Sequence, residues 1–293
     1  MRNSIFIPGS EWVYFKIYTG QKTADAILKN ELNVYVEELL KNDIINKWFF
    51  IRYSDPDFHI RLRIHLKETS DFNYVFNRFY CLFNPIVETG LVWNIKCDTY
   101  QREMVRYGAN TISIVEDFFF TDSVFVIKLL HQLKKDNPNH HRWILALILI
   151  DSLLSAFSFK LQEKRELLNT MADSYKKEFG FTHRNVTIQL KNKCRTYRKE
   201  VENAMLWEEK ISNDIDNIKN RKESISQIAE KLIALEISEK LQIPLKDLLR
   251  SMIHMTMNRW FRSKNRLYEL VIYEFLSRYY TSEIAKININ PQK

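Results

Sequence analysis

The sequence predicts an α+β protein, and three observations carry that expectation. The first 110 residues switch repeatedly between strand-like alternation and helical spacing, everything beyond them keeps a helical period, and glycine and proline are scarce, at 5 and 6 of 293 residues. A chain with 45% hydrophobic residues and so few turn formers builds helices around a sizeable core. The expected division is a ferredoxin-like βαββαβ subdomain over residues 1–110 and a helical subdomain over 111–293, the two forming one compact unit.

The elements follow in order. The aromatic, β-branched run EWVYFKIYTG at 11–20 reads as a strand closed by Gly20. Ala24, Ile27, Leu28, Leu32, Tyr35, Val36 and Leu39 then recur at helical spacing between Gln21 and Lys41. A hairpin comes next, with arms KWFFIRY and FHIRLRIHL joined by SDPD, where the proline presets the backbone angle of the turn. Phe72, Val75, Phe76, Phe79, Tyr80 and Phe83 form the apolar stripe of a second helix, which Asn84-Pro85 is expected to end. A fourth strand from about Leu91 to Arg102 completes the set.

Beyond residue 110 the helical runs are 113–133, 141–159, a Lys- and Glu-rich stretch to about 237, then 244–261 and 267–280, punctuated by Pro138, Gly180 and Pro244. The apolar run WILALILI at 143–150 is broken by Asp151, well short of a membrane span, and is expected to be a buried helix. The start MRNSIFIPGSEW lacks a continuous apolar run, so no apolar leader is expected, and the sequence shows no internal repeat and no low-complexity segment. Three cysteines without a CxxC pair indicate neither a disulfide framework nor a zinc site, so a reducing, cytoplasmic setting is expected.

A formal charge of +8 calls for an anionic partner. Where the cations sit narrows the choice. In FHIRLRIHL the apolar residues share one strand face and His59, Arg61, Arg63 and His65 share the other. On a sheet covered by two helices on one side, the uncovered face should also collect Tyr14, Lys16, Tyr18, Arg52, Asn94, Lys96, Tyr100 and Arg102. Guanidinium forks suit carboxylate or phosphate, and two of them about 7 Å apart on one strand could grip a small dianion. An RNA-binding sheet is disfavoured, because the third strand lacks the glycine-aromatic pattern such modules place there, and no direct nucleic-acid contact is expected.

Two further groupings stand out. Arg102, Glu103 and Arg106 crowd the end of the fourth strand before Gly108, and Arg250, His254 and Asn258 make a polar stripe on a helix rich in Met, Leu and Ile. Histidine is the side chain best suited to proton transfer near neutral pH. Phosphate-cradling glycine loops, GxSxG and HExxH are absent, so any catalysis is expected to be acid–base and electrostatic, without metal or cofactor.

The segments WVYFKIY, WFFIRYSDPDFHIRLRI, YQREMVRYG and SMIHMTMNRWF together resemble the small C-terminal domain of lantibiotic dehydratases, which also occurs as a separate protein in thiopeptide-type bacteriocin pathways. The likeness runs from about Ser10 to Ser277. It implies elimination of glutamate from glutamylated Ser or Thr of a ribosomally made precursor peptide, leaving dehydroalanine or dehydrobutyrine. The residues it implies for this lyase chemistry are Arg61, Arg63, Arg102 and His254, with His59, Tyr100, Arg106, Asn258 and Arg259 as substrate contacts. It further implies a glutamylated peptide substrate and a separate tRNA-dependent glutamylating subunit as partner; a homo-oligomer is compatible with it. The family often places two glycines after Arg-Tyr, whereas this chain reads Gly108-Ala109. Relatives that form a pyridine ring by [4+2] cycloaddition, and a non-catalytic peptide-binding role, are the alternative readings.

Overall fold

The computed structural model describes residues 4–181, 184–210 and 212–289. The chain forms two compact units, one of residues 1–132 with 235–243, the other of 133–234 with 244–293. The first unit therefore continues past residue 110, because the next helix packs on its sheet.

In the first unit, β1 (Ile5–Phe6) precedes β2 (Trp12–Thr19), α1 (Gln21–Ile27) and α2 (Asn33–Lys41), then the hairpin of β3 (Ile45–Ser54) and β4 (Phe58–Leu66), α3 (Phe72–Glu88), β5 (Val92–Cys97), β6 (Tyr100–Gln101), the short α4 (Met104–Tyr107) and α5 (Ile112–Gln132). A π-helical turn at Leu28–Leu32 joins α1 to α2, so the expected single helix keeps its direction while its stripe shifts by a residue. The main sheet is antiparallel throughout, in the order β3-β4-β2-β5.

One face of this sheet is covered by the helices. Phe15 stacks on Phe79 at 4.0 Å, Phe79 on Phe83 at 4.1 Å, and the Tyr35 hydroxyl donates to the Val75 carbonyl at 2.9 Å. Tyr80, assigned to the same stripe from sequence, is exposed instead. Pro85 does not end α3: the helix runs one more turn to Glu88, because a proline near the end of a helix forfeits only one hydrogen bond. Helix α5 lies along β3, where Ser123 Oγ accepts from the Phe50 amide at 3.3 Å and Asp117 pairs with Lys47.

The expected fourth strand divides. Its first part is β5, and its end leaves the main sheet as β6 to pair with β1, opposing Phe6 to Tyr100. Arg52 also departs from expectation. It opposes Ile60 in the hairpin, which turns it to the helix-covered face, where it pairs with Asp25 of α1 at 2.7 Å. A one-residue offset in the alternation of β3 moves every side chain to the other face. The expected face therefore gains Lys47, Phe49, Ile51 and Tyr53 and loses Arg52.

The second unit is helical: α6 (Pro138–Ala156), α7 (Leu161–Glu178), α8 (Arg184–Thr196), α9 (Arg198–Met205), α10 (Asn213–Ile237, whose last residues belong to the first unit), α11 (Leu245–Trp260) and α12 (Asn265–Ile289). Helix α6 starts as its sequence dictates, with Pro138 at its first position and the Asn137 side chain accepting from the His140 amide. From Leu145 to Leu154 it is buried on all sides. Asp151, the residue that interrupts the apolar run, is satisfied there by Lys164 at 2.7 Å, Tyr280 at 2.6 Å and the Trp207 indole at 3.0 Å. No helix among the described residues is long and apolar enough to cross a membrane.

Candidate active site

The alternation of β4 brings four of the expected residues onto one face of the first unit. Across β2, His59 opposes Tyr18, Arg61 opposes Lys16 and Arg63 opposes Tyr14; across β3 the same residues meet Tyr53, Ile51 and Phe49. The face was expected to be open, but most of it is buried: His59 has no exposure, and Tyr14, Tyr18 and Tyr100 keep 6% or less.

Arg63 is 9% exposed and sits in a cage of rings, its guanidinium carbon 4.6 Å from the centre of Tyr14, 4.9 Å from Tyr100 and 5.4 Å from Phe49. Its Nε has no hydrogen-bond partner. Arg61 stacks on Tyr53 at 3.4 Å and donates from Nε to His59 Nε2 at 3.0 Å. Neither arginine forms an ion pair or hydrogen bond with a carboxylate among the described residues, although Asp98, the partner of Lys16, feels the charge of Arg61. Ring faces attract a guanidinium through their quadrupole and leave its N–H edge available, so they hold the cation without neutralising it.

Lys96, exposed on the same face, lies over the Tyr18 ring at 5.4 Å, whereas the remaining cations of the region are paired with carboxylates. Lys16 pairs with Asp98 and Lys47 with Asp117. Arg102 makes a two-pronged contact with Glu116 of α5, Nε to Oε1 and Nη2 to Oε2 both at 2.6 Å, and the Tyr100 hydroxyl donates to the same Oε1 at 2.9 Å. Glu116 is fully buried. Arg102 is thus joined to the Arg63 cage through Tyr100, with one side of its fork committed to Glu116. Arg106 lies on α4, partly exposed, 3.4 Å from Glu103. Gly108 ends α4 at φ +77°, and an added Cβ would fall 2.8 Å from the Thr111 hydroxyl, so only glycine fits that turn.

Burial sets the protonation of this face. His59 Nδ1 lies 2.8 Å from the Asp57 carbonyl and so carries the proton, while Nε2 accepts from Arg61. Burial, followed by the charges of Arg61 and Lys16, holds the His59 pKa below its ordinary value. His65 is likewise lowered, by burial and then by Lys47. Burial raises the Tyr14 hydroxyl despite the opposing charge of Arg63, and burial with Glu116 raises Tyr100 well above the usual phenol range. Both tyrosines stay neutral, as ring platforms and donors.

In the second unit, His254 of α11 is part of a separate construction. Its Nδ1 lies 3.0 Å from Oε2 and 3.1 Å from Oε1 of Glu269 on α12, a carboxylate with no exposure. The same carboxylate accepts from Tyr175 at 2.7 Å, Tyr273 at 2.7 Å and Asn265 at 3.2 Å. Four donors around one buried carboxylate satisfy its lone pairs, and the carboxylate in turn fixes the imidazole as the Nδ1–H tautomer, which leaves Nε2 to exchange a proton. His254 itself keeps 21% side-chain exposure. Burial and the neighbouring Glu269 charge raise the pKa of Tyr175 and Tyr273, so neither competes as an acid. Asn258, one turn on, is half-buried, and Arg259 is fully buried. No cluster of three or more metal-ligating side chains occurs among the described residues.

Sequence reasoning missed Glu116 and Glu269, which organise these two clusters, and the rings of Phe49, Tyr53, Tyr175 and Tyr273 around them. The signal was present. In SIVEDFFF and LYELVIYEF each carboxylate occupies a core-facing position of an otherwise apolar helical run, and a buried acid must find donors.

Comparison with known proteins places this architecture. Residues 12–280 match the family described as Lantibiotic biosynthesis dehydratase C-term. Epidermin biosynthesis protein EpiB of Staphylococcus epidermidis is 26% identical over 270 residues, covering 89% of this chain and 25% of EpiB. The chain spans about a quarter of the length of the curated relatives it matches. Among solved structures, the tRNA dependent lantibiotic dehydratase MibB from Microbispora sp. 107891 superposes with a TM-score of 0.75 at 17% identity, covering 95% of this chain and 28% of MibB. The pyridine synthase TbtD from thiomuracin biosynthesis gives 0.66 at 12% identity, covering 93% of this chain and all of TbtD. With a match that extends over the β4 arginines, Arg102 and His254 alike, the chain belongs to the lantibiotic biosynthesis dehydratase C-terminal family.

Proposed function

We propose that the chain eliminates glutamate from glutamylated Ser or Thr of a ribosomally made precursor peptide. The observation that carries this reading is the pair of strand guanidiniums, Arg61 and Arg63, held by rings and a neutral histidine with no carboxylate of the protein on them. Cations kept free of counterions at such a cost in desolvation are suited to bind an anion brought by a substrate. The strand order and the covering helices also support reading the first unit's sheet as ferredoxin-like.

The chemistry matches the residue types. A serine hydroxyl leaves poorly, but its glutamyl ester departs as an α-carboxylate of pKa about 3.5. A base removes the peptide α-proton, its electrons form the carbon–carbon double bond, the bond from the β-carbon to the ester oxygen breaks, and glutamate leaves. Arg61 and Arg63 are assigned to the glutamyl carboxylates and the negative charge that develops, with Arg102 holding Tyr100 and the Arg63 cage in place through Glu116 as well as adding its own charge. His254, oriented by Glu269, is assigned to proton transfer. His59, Tyr100, Arg106, Asn258 and Arg259 are assigned to substrate contact or its support. The glutamyl group would be supplied by a tRNA-dependent glutamylating partner.

The likeness of fold to the pyridine synthase TbtD supports cycloaddition as the second reading. One experiment separates the two. A synthetic peptide carrying glutamyl-serine is incubated with the purified protein and followed by mass spectrometry: elimination predicts loss of glutamate and a dehydroalanine, whereas cycloaddition and peptide scaffolding leave the ester intact.

A further inference from the structure

Away from the residues assigned above, helices α8, α9 and α12 of the second unit enclose a cleft of about 320 Å³. Its rim is cationic. Lys191 and Arg195 project from α8, Arg198 from α9 and Arg278 from α12, against a single lining carboxylate, Glu202. Two of the four are partly compensated: Arg198 lies 2.9 Å from Glu202, and Arg278 lies 3.2 Å from Glu274, which also pairs with Lys176. Lys191 and Arg195 lie one helical turn apart. Like charges at that spacing repel, and no carboxylate among the described residues pairs with them.

The floor is different in kind. Phe275 and Val201 are 4% and 5% exposed, and the Tyr279 ring lies beside them. Burial pushes the Tyr279 hydroxyl up to about 12 and the Cys194 thiol up to about 11, so both lining groups are neutral and can offer hydrogen bonds but no charge. An apolar floor under an incompletely balanced guanidinium rim, at a volume within the range of ligand pockets, selects for a molecule with an apolar body and an anionic head.

We propose that this cleft is a second binding site, for an organic anion: a carboxylate or phosphate carried on an aromatic or aliphatic body. The site is independent of the elimination reading, because none of its residues is assigned to that chemistry. The anion has two possible sources, an acidic peptide side chain beside an apolar one, or a free phosphate ester, and the test separates them.

Calorimetric titrations use three probes: phenyl phosphate, the capped dipeptide N-acetyl-Phe-Glu-amide and its uncharged counterpart N-acetyl-Phe-Gln-amide. At least one anionic probe is expected to bind and the neutral dipeptide to bind more weakly; phosphate binding assigns a phosphate ester, dipeptide binding an acidic peptide. In the double variant Arg195→Gln/Arg278→Gln, checked for intact helicity by circular dichroism, affinity should fall by roughly ten- to a hundredfold, as expected when charged hydrogen-bond donors are lost. Lys22→Gln, at an exposed lysine of the first unit with no assigned role, should leave it unchanged. The proposal is overturned if neither anion binds, if the neutral dipeptide binds as well as the charged one, or if the double variant binds like the parent.

Discussion

The two clusters solve opposite electrostatic problems. In the first unit, Arg61 and Arg63 are charges without counterions, held by Tyr14, Phe49, Tyr53 and Tyr100, while the neighbouring Lys16, Lys47 and Arg102 each have a carboxylate. In the second, Glu269 is a buried charge with every lone pair served, and His254 is one of four donors around it. The first arrangement stores unsatisfied attraction for an anion. The second stores orientation. In the elimination proposed above, they would supply a prepared field for departing charge and a base held in one tautomer.

The sharpest way to break the comparison is to remove the oriented base. His254→Ala is expected to lower the rate of glutamate loss by about 10²- to 10⁴-fold, the usual contribution of a general acid–base residue. Glu269→Gln should produce part of that loss with His254 still present, and should change the pH dependence of the rate, because an amide fixes neither tautomer nor charge. Single-turnover assays with glutamylated peptide across pH 6–9 check both. A His254→Ala protein as fast as the parent would remove the second cluster from the mechanism.

Next in size is the unneutralised cation. Arg63→Gln keeps a side chain among the rings but abolishes the charge, and is expected to slow elimination by about 10²- to 10³-fold. Arg63→Lys should recover little, since an ammonium lacks the planar fork that stacks between rings and grips a carboxylate at two points. If lysine restores the parent rate, the site needs only a point charge, and the ring cage has no part in its selectivity.

The neutralised arginine gives the contrasting result. Glu116 is fully buried and serves both Arg102 and Tyr100, so Glu116→Gln should cost stability, by about 2–3 kcal/mol, somewhat below the value for breaking a fully buried ion pair because Arg102 keeps some contact with solvent. Urea unfolding measures this directly. A stable Glu116→Gln protein that no longer eliminates glutamate would move Glu116 from the framework into the chemistry.

What the sequence disclosed and what it hid divide along the same lines. Period-two alternation in FHIRLRIHL was enough to place His59, Arg61 and Arg63 together, since strand geometry leaves no freedom once the register is set. Arg52 was misplaced because KWFFIRY is apolar on both faces, so its alternation carried no information about which face is which; the decisive fact, Asp25 waiting on α1, is a tertiary one. The split of the last strand was also illegible, as it depends on the two-residue β1 reaching Tyr100. His254 could be singled out on its helix, but its partner lies on the next one, fifteen residues later, and no local rule pairs them.

The smallest effect tests whether His59 really is neutral. Its pKa is held below 6.5 by burial, and Arg61 Nε donates to the nitrogen that would have to take the proton. A group whose folded pKa is depressed stabilises fully above its unfolded value, and that contribution is lost as the pH falls from about 6.5 through the folded pKa, because the unfolded chain then binds the proton more readily. His65 adds in the same direction. Asp214, lowered by its hydrogen bond from His141, has the same sign but acts only below the ordinary carboxylate range, outside this window. The urea midpoint should therefore decline between pH 6.5 and 5, and His59→Gln, whose amide oxygen can still accept from Arg61, should decline less steeply. Equal slopes would mean that His59 is already charged or that its proton is immaterial to the fold; either outcome would leave Arg61 without a neutral support and undo the contrast between a cation kept bare and a carboxylate fully clothed.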